Sequence, residues 1–213
     1  MIVPSMTSKE LLIEIFKDFE IVGRKAMYLT ESLRREAIKS KAKHVHRIFD
    51  YKSTRFNKWF IVADYIIGHP GFIVVVYFID EYGLNGIRVD ADNQSLTHFT
   101  PHFLDRYNER CLKQPYLSKL ELLKRFISNN SVEVIHSEFN DEKKQYNIFG
   151  RVKEGIVLGY KEGFRKTGKE INHYKTFISN EMIHESQVDD FNFTGKLFDS
   201  YLDDMPKSIK RRA

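Results

Sequence analysis

Three stretches decide how this chain folds: HVHRIFDYKS (44–53), KWFIVADYII (58–67) and GFIVVVYFIDEY (71–82). Each is a short run of β-branched and aromatic residues, and polar or Gly/Pro breaks separate the runs, which predicts an antiparallel meander. A short IRV run (87–89) follows Gly83-Leu84-Asn85-Gly86 and adds a further strand after an expected turn. FIVVVYFI (72–79) is apolar at every position rather than at every second one. Both of its faces must therefore be covered, and it is expected to be the central strand.

Upstream of the meander the period changes. Thr7 followed by Glu10 is a capping-box pattern, and Leu11, Leu12, Ile15, Phe16 and Phe19 then recur at helical spacing. A helix is expected over 8–19. Val22, Ala26, Leu29, Leu33 and Ala37 continue at steps of three to four and predict a second helix, with Gly23 marking a bend between the two.

Downstream, Thr100 and Pro101 open a third helix running to about Lys113, before Pro115, and Ser118 with Glu121 caps a fourth over 118–129. Four further runs, VEVIHSEF (132–139), QYNIFGRV (145–152), GIVLGYKEG (155–163) and INHYKTFIS (171–179), read as a second meander with a polar loop over 161–169. The expected class is α+β, with N-terminal helices followed by antiparallel meanders and two central helices packed on a sheet. A helical segment over 1–44 would precede a body over 45–204. That body holds the meanders (45–91 and 132–179), the central helices (100–130) and a weak helix over 191–202. A basic tail over 205–213 closes the chain.

The composition sets outer bounds. A chain of 213 residues with 42% hydrophobic and 30% charged residues can form one domain, or one domain with an appended subdomain, and bury a core without metal or disulfide staples. Cys111 is the only cysteine, which suits a reducing compartment. No apolar run reaches the roughly 20 residues a membrane helix needs, and the N-terminal stretch lacks the features of a secretory signal, so a cytoplasmic protein with no membrane partner is expected. The net charge is +5. Its distribution is more telling: between Arg24 and Arg47, eight cations (Arg24, Lys25, Arg34, Arg35, Lys39, Lys41, Lys43, Arg47) face two anions, Glu31 and Glu36. Arg34, Arg35, Lys39, Lys43 and Arg47 are thus candidate nucleic-acid contacts. Lys207, Lys210, Arg211 and Arg212 make a second cluster. Surplus Lys and Arg also serve solubility on a long helix, and the pattern does not separate the two uses.

The stretch LTHFTPHFLDRYNERCLKQ (96–114) carries the chemistry. On a regular helix Phe103, Leu104, Tyr107 and Cys111 form a buried stripe, and His102, Arg106, Glu109 and Arg110 project together on the opposite side. Arg106 and Arg110 could hold phosphate oxygens as two-donor forks. His102, in the first turn, would be kept neutral by the positive helix end and so could act as a base. With Glu109 to orient them, these groups suffice in kind for attack of a ribose 2′-hydroxyl on its own phosphate, and that chemistry requires neither metal nor cofactor. The competing reading is a solvated helix face whose charges pair with one another.

The pattern His, Arg four residues on, then Glu-Arg, followed by a second helix, a meander and a closing strand bearing Thr, resembles the barnase, EndoU, colicin and RelE type ribonuclease superfamily, which includes small bacterial toxins. The match runs from His102 to about Ser179 and places Tyr174, Lys175 and Thr176 on the last strand. The resemblance implies a metal-independent, toxin-like ribonuclease, acting on RNA or on the ribosome, with His102, Arg106, Glu109, Arg110 and Thr176 catalytic and Lys175 on the nucleic acid. The first hundred residues have no counterpart in those toxins, and the 161–169 loop is an insertion. The alternative is a non-enzymatic binding protein of the same fold that docks nucleic acid or an acidic protein surface.

Other chemistries are set aside on pattern. His44, His46 and His69 lack partners at metal-ligand spacing. GIVLGYKEGFRKTGK (155–169) lacks the spacing of a phosphate-binding loop, Ser137 and Ser179 sit in no nucleophile motif, and Cys111 lies on the apolar stripe. Trp59 could stack on a base, but as a strand residue it is expected in the core. His173 and Lys175 are expected to alternate with Tyr174 and Thr176 across the last strand.

Overall fold

The computed structural model describes residues 1–66, 69–92, 94–131, 133–164 and 168–182. The class is α+β, and the chain divides into two compact units, Met1–Thr97 and His98–Ala213. The expected helix over 191–202 and the basic tail lie outside the described residues.

In the first unit α1 runs unbroken from Ser8 to Ser40, where two helices meeting at Gly23 were expected. Its start is fixed chemically: the Thr7 hydroxyl accepts from the Glu10 N–H at 3.3 Å, and the Glu10 carboxylate accepts from the Thr7 N–H at 2.8 Å. Lys41, in a left-handed conformation (φ 56°), ends it. Gly23 costs about 1 kcal/mol of helix propensity relative to Ala. The buried stripe of Leu12, Ile15, Val22, Ala26, Leu33 and Ala37 outweighs that, each large side chain contributing about 1.5–3 kcal/mol. The helix therefore continues through the glycine.

α1 packs on an antiparallel meander, β1 (His44–Lys52), β2 (Lys58–Ile66), β3 (His69–Asp80) and β4 (Gly83–Asp90). β3 lies between β2 and β4, and Val74, Val75 and Val76 are buried in succession, as its continuous apolar run requires. Its ends are less enclosed, and Ile79 is 65% exposed. Gly83-Leu84-Asn85-Gly86 is not a turn: all four residues belong to β4, and the reversal falls at Glu81 and Tyr82. Asp80 dictates this, because its carboxylate accepts from the N–H groups of Tyr82 and Gly83, and Gly83 takes φ 126°. Trp59 is fully buried, a core residue. The chain passes from one unit to the next within β5 (Ser95–Phe99), a strand the sequence pattern did not show.

The second unit carries α2 (Pro101–Tyr107), a π-helical turn (Asn108–Leu112), α3 (Lys119–Asn129) and β6 (Glu133–Asn140), β7 (Gln145–Val152), β8 (Gly155–Phe164) and β9 (Lys169–Ser179). Strands β6 to β9 form an antiparallel meander, and α2 packs on β9 and on α3. Of the expected 161–169 loop, the described residues 161–164 belong to β8, which extends to Phe164, and β9 starts at Lys169. The core is aromatic. Phe99, Phe103, Tyr107, Phe126, Tyr174 and Phe177 meet mainly edge-to-face or tilted, with neighbouring centroids 5.0–6.3 Å apart. A bulge at Leu158/Gly159 interrupts the β8–β9 register, and a side chain at Gly159 would collide with the His173 carbonyl oxygen.

Candidate functional site

The helix that carries the candidate chemistry is anchored at its N-terminus. The Thr100 hydroxyl accepts from the Phe103 N–H and donates to the Tyr174 carbonyl, so one side chain caps α2 and ties it to β9. Phe103, Leu104 and Tyr107 are buried as expected. Cys111 is only half-buried, because the helix widens into the π turn after Tyr107 and its i→i+5 bonding inserts a residue into the helical repeat. Burial still raises the Cys111 thiol to about 11, with the Glu154 charge adding to the effect.

The same widening breaks up the polar stripe. His102 is exposed and makes no hydrogen bond among the described residues. Arg106 donates to Glu109 at 2.7 Å, a surface pair. Arg110 turns toward β9, donating to the Phe177 carbonyl at 2.6 Å and lying 3.5 Å from the Thr176 hydroxyl. The structure thus brings Arg110 to Thr176 and Arg106 to Glu109, and among the described residues neither pair hydrogen-bonds to His102.

On β9 the expected alternation is disturbed by the bulge. His173 and Tyr174 are both buried, Lys175 is exposed and Thr176 is half-buried. The Tyr174 hydroxyl donates to Glu133 at 2.7 Å. His173 stacks on Tyr160 with centroids 4.7 Å apart, and the Lys175 ammonium lies 5.4 Å from the same ring centre. The His173 Nδ1 meets Nδ1 of His98 at 3.0 Å, while its Nε2 lies 3.3 Å from the Glu162 carboxylate. Burial, reinforced by His173 and Lys175, pushes His98 down to about 3. Burial also lowers His173, against the opposing pull of Glu162. These two imidazoles lie 75 positions apart in the chain, and no local spacing signals their pairing.

Of the first unit's candidate cations, Arg34 and Arg35 both donate to Glu31, whose carboxyl the Arg34 fork in particular holds down to about 2. Arg47 pairs with Glu36. Lys39 and Lys43 are exposed. The described residues contain no group of three or more His, Cys, Asp or Glu that could hold a metal ion, and no helix long and apolar enough to cross a membrane.

A groove of about 700 Å³ opens on the second unit at the β6–β7 hairpin and the ends of β8 and β9. Phe139 and Tyr146 line it, 46% and 48% exposed, as do Lys144, Lys161, Lys169 and Tyr160. The sequence reading missed this feature. Its signal was present in FNDEKKQY (139–146), where two aromatics bracket a lysine-bearing turn.

Comparison with family models, curated proteins and solved structures gives no match.

Proposed function

We propose that this is an RNA-binding protein whose α2 face docks on the sugar-phosphate backbone without cleaving it. One observation carries the reading: of the two arginines on the His102–Arg110 stripe, Arg110 is spent on a β9 carbonyl and Arg106 lies at the surface beside Glu109. Cleavage would need both arginines on one phosphate with His102 within hydrogen-bond reach of the 2′-hydroxyl. Arg110 instead bonds the Phe177 carbonyl, and Arg106 is neutralised by Glu109. What remains accessible is exposed His102 and Lys175 and the half-buried Arg106, whose surface pair with Glu109 leaves part of its fork free; these can meet phosphates one at a time. The net charge of +5 and the exposed Lys39 and Lys43 favour a polyanion in the same direction.

The ribonuclease reading is favoured by one contact, the approach of Arg110 to Thr176, which joins the helix to the closing strand as the resemblance implies. Two measurements divide the readings. A filter-binding titration should show RNA retained at about 50 mM salt and released toward 200 mM as counterion release is suppressed. Labelled RNA incubated with the protein and EDTA should stay intact. Cyclic-phosphate products that disappear in His102→Ala would establish cleavage instead. No retention even at about 50 mM salt would remove the RNA reading and leave an acidic protein surface as the partner.

A further inference from the structure

We propose that the groove at the β6–β7 hairpin is a binding site for single-stranded RNA, in which an unpaired base stacks on the Phe139–Tyr146 pair and the flanking phosphates meet Lys144 and Lys161. The inference rests on the RNA-binding reading above and assigns the single-strand contact to a place away from the α2 stripe.

The aromatic pair is the first argument. Phe139 and Tyr146 face each other across the hairpin in register, with centroids 5.1 Å apart and planes at 62°. An edge-to-face pair leaves at least one flat ring face uncovered by its partner, and both rings are about half exposed. Every nucleobase offers a π face to such a ring, so the contact suits a strand of any sequence. A base inside a duplex is already stacked and cannot reach it.

The cations are the second argument. Lys161 lies directly opposite Tyr146 in the β7–β8 register, and Lys144 stands at the end of the same hairpin, two residues before Tyr146. The pairing of Lys144 with Asp141 is a surface contact at 3.6 Å between side chains 76% and 86% exposed, which a phosphate can displace at little cost. Glu162 and Glu170 also line the groove: Glu162 faces the His173 ring, and Glu170 takes one N–H of the Lys161 ammonium at 2.8 Å, which leaves that three-donor group two further N–H bonds to offer a phosphate. The third argument is room. A side chain at Gly163 would meet no atom within 4 Å, so the groove is open there. Its volume falls in the range of about 300–1,000 Å³ usual for small-ligand clefts.

Anisotropy of a labelled, unstructured RNA of about 12 nucleotides, at about 50 mM salt, tests the site. Tyr146→Ala and Phe139→Ala should each weaken binding by about 5- to 150-fold, the loss of one base–aromatic stack. Tyr146→Phe should bind within about twofold of the wild type, and a duplex of the same sequence should bind at least tenfold more weakly than the single strand. Gly163→Ile fills open space without adding a ring, so it should weaken binding at least tenfold with an unchanged melting curve. This variant stays informative if an aromatic replacement disturbs the hairpin. Wild type that binds no RNA overturns the RNA-binding reading and this assignment with it. Wild type that binds while Tyr146→Ala, Phe139→Ala and Gly163→Ile all match it overturns the groove alone and returns the contact to α2. Duplex bound as well as single strand, or DNA of the same sequence bound tenfold more tightly, overturns the single-stranded RNA assignment.

Discussion

Replacing Asp18 by Ala should remove much of the stability of the first unit. Asp18 is fully buried on the inner face of α1, and its Oδ2 accepts from the Ser53 hydroxyl at 2.7 Å, the Asn57 amide at 2.8 Å and the Trp59 indole N–H at 2.8 Å. Hydrogen bonds to a charged acceptor contribute about 1.5–3 kcal/mol each, so the gross loss lies at about 4.5–9 kcal/mol. Against this, the mutation releases a buried carboxylate whose Oδ1 has no partner among the described residues, which returns part of its desolvation cost. Removing one member of a buried charged network typically costs about 3–5 kcal/mol, and a loss of about 4 kcal/mol is expected here. Asp18→Asn keeps an acceptor at the same place without its charge and should lose about 2 kcal/mol. Trp59 is the only tryptophan and is itself bonded to Asp18, so its fluorescence during urea denaturation reports this unit directly. If Asp18→Ala shifts the unfolding free energy by less than about 1 kcal/mol, the three bonds do not hold α1 to the meander and the reasoning fails.

Three further outcomes are expected. Glu14 is held at about 2, mainly by the Arg55 fork at 2.5 and 2.9 Å. Because this folded value lies below the ordinary 4.5, the stabilisation is complete above about pH 4.5 and lost as pH falls toward 2; Arg55→Met should flatten Trp59-detected unfolding across that window. His98 and His173 are both lowered by burial, so the unfolded chain binds more protons than the folded one below about pH 6.5. The second unit should lose stability on acidification from there, and imidazole NMR should show His98 neutral until about pH 3. Tyr107→Phe deletes the 2.6 Å bond to Glu154 but leaves that carboxylate its Asn129 and Asn130 donors. A loss of about 1.5–2 kcal/mol is expected by calorimetry, and Glu154→Ala should cost more because three donors lose their acceptor.

Local chemistry was legible in the sequence wherever the deciding groups are neighbours in the chain. The Thr7–Glu10 and Ser118–Glu121 capping boxes close within four residues, so they appear in the structure as read. The valine run of β3 declared its own burial. The reading failed where a distant or cumulative term prevailed. Gly23 signalled a break, but the long apolar stripe of α1 outweighed a single weak residue. Gly83-Leu84-Asn85-Gly86 carried turn residues, but the Asp80 side chain had already captured the N–H groups that set the reversal.

The candidate site shows the same division. That His102, Arg106, Glu109 and Arg110 lie on one short helical stretch is determined by sequence alone, since spacing fixes the face of a regular helix. Whether they converge is not, because one π turn re-aims Arg110 at a β9 carbonyl 67 residues away. Only packing of the helix against that strand makes the carbonyl available as an acceptor. The groove depends equally on pairing. Phe139 and Tyr146 are seven positions apart and read as ordinary strand residues, and hairpin register makes them facing rings. Periodicity and capping are short-range terms carried by the chain itself, whereas register, bulges and the partners of buried polar groups exist only once distant segments have met.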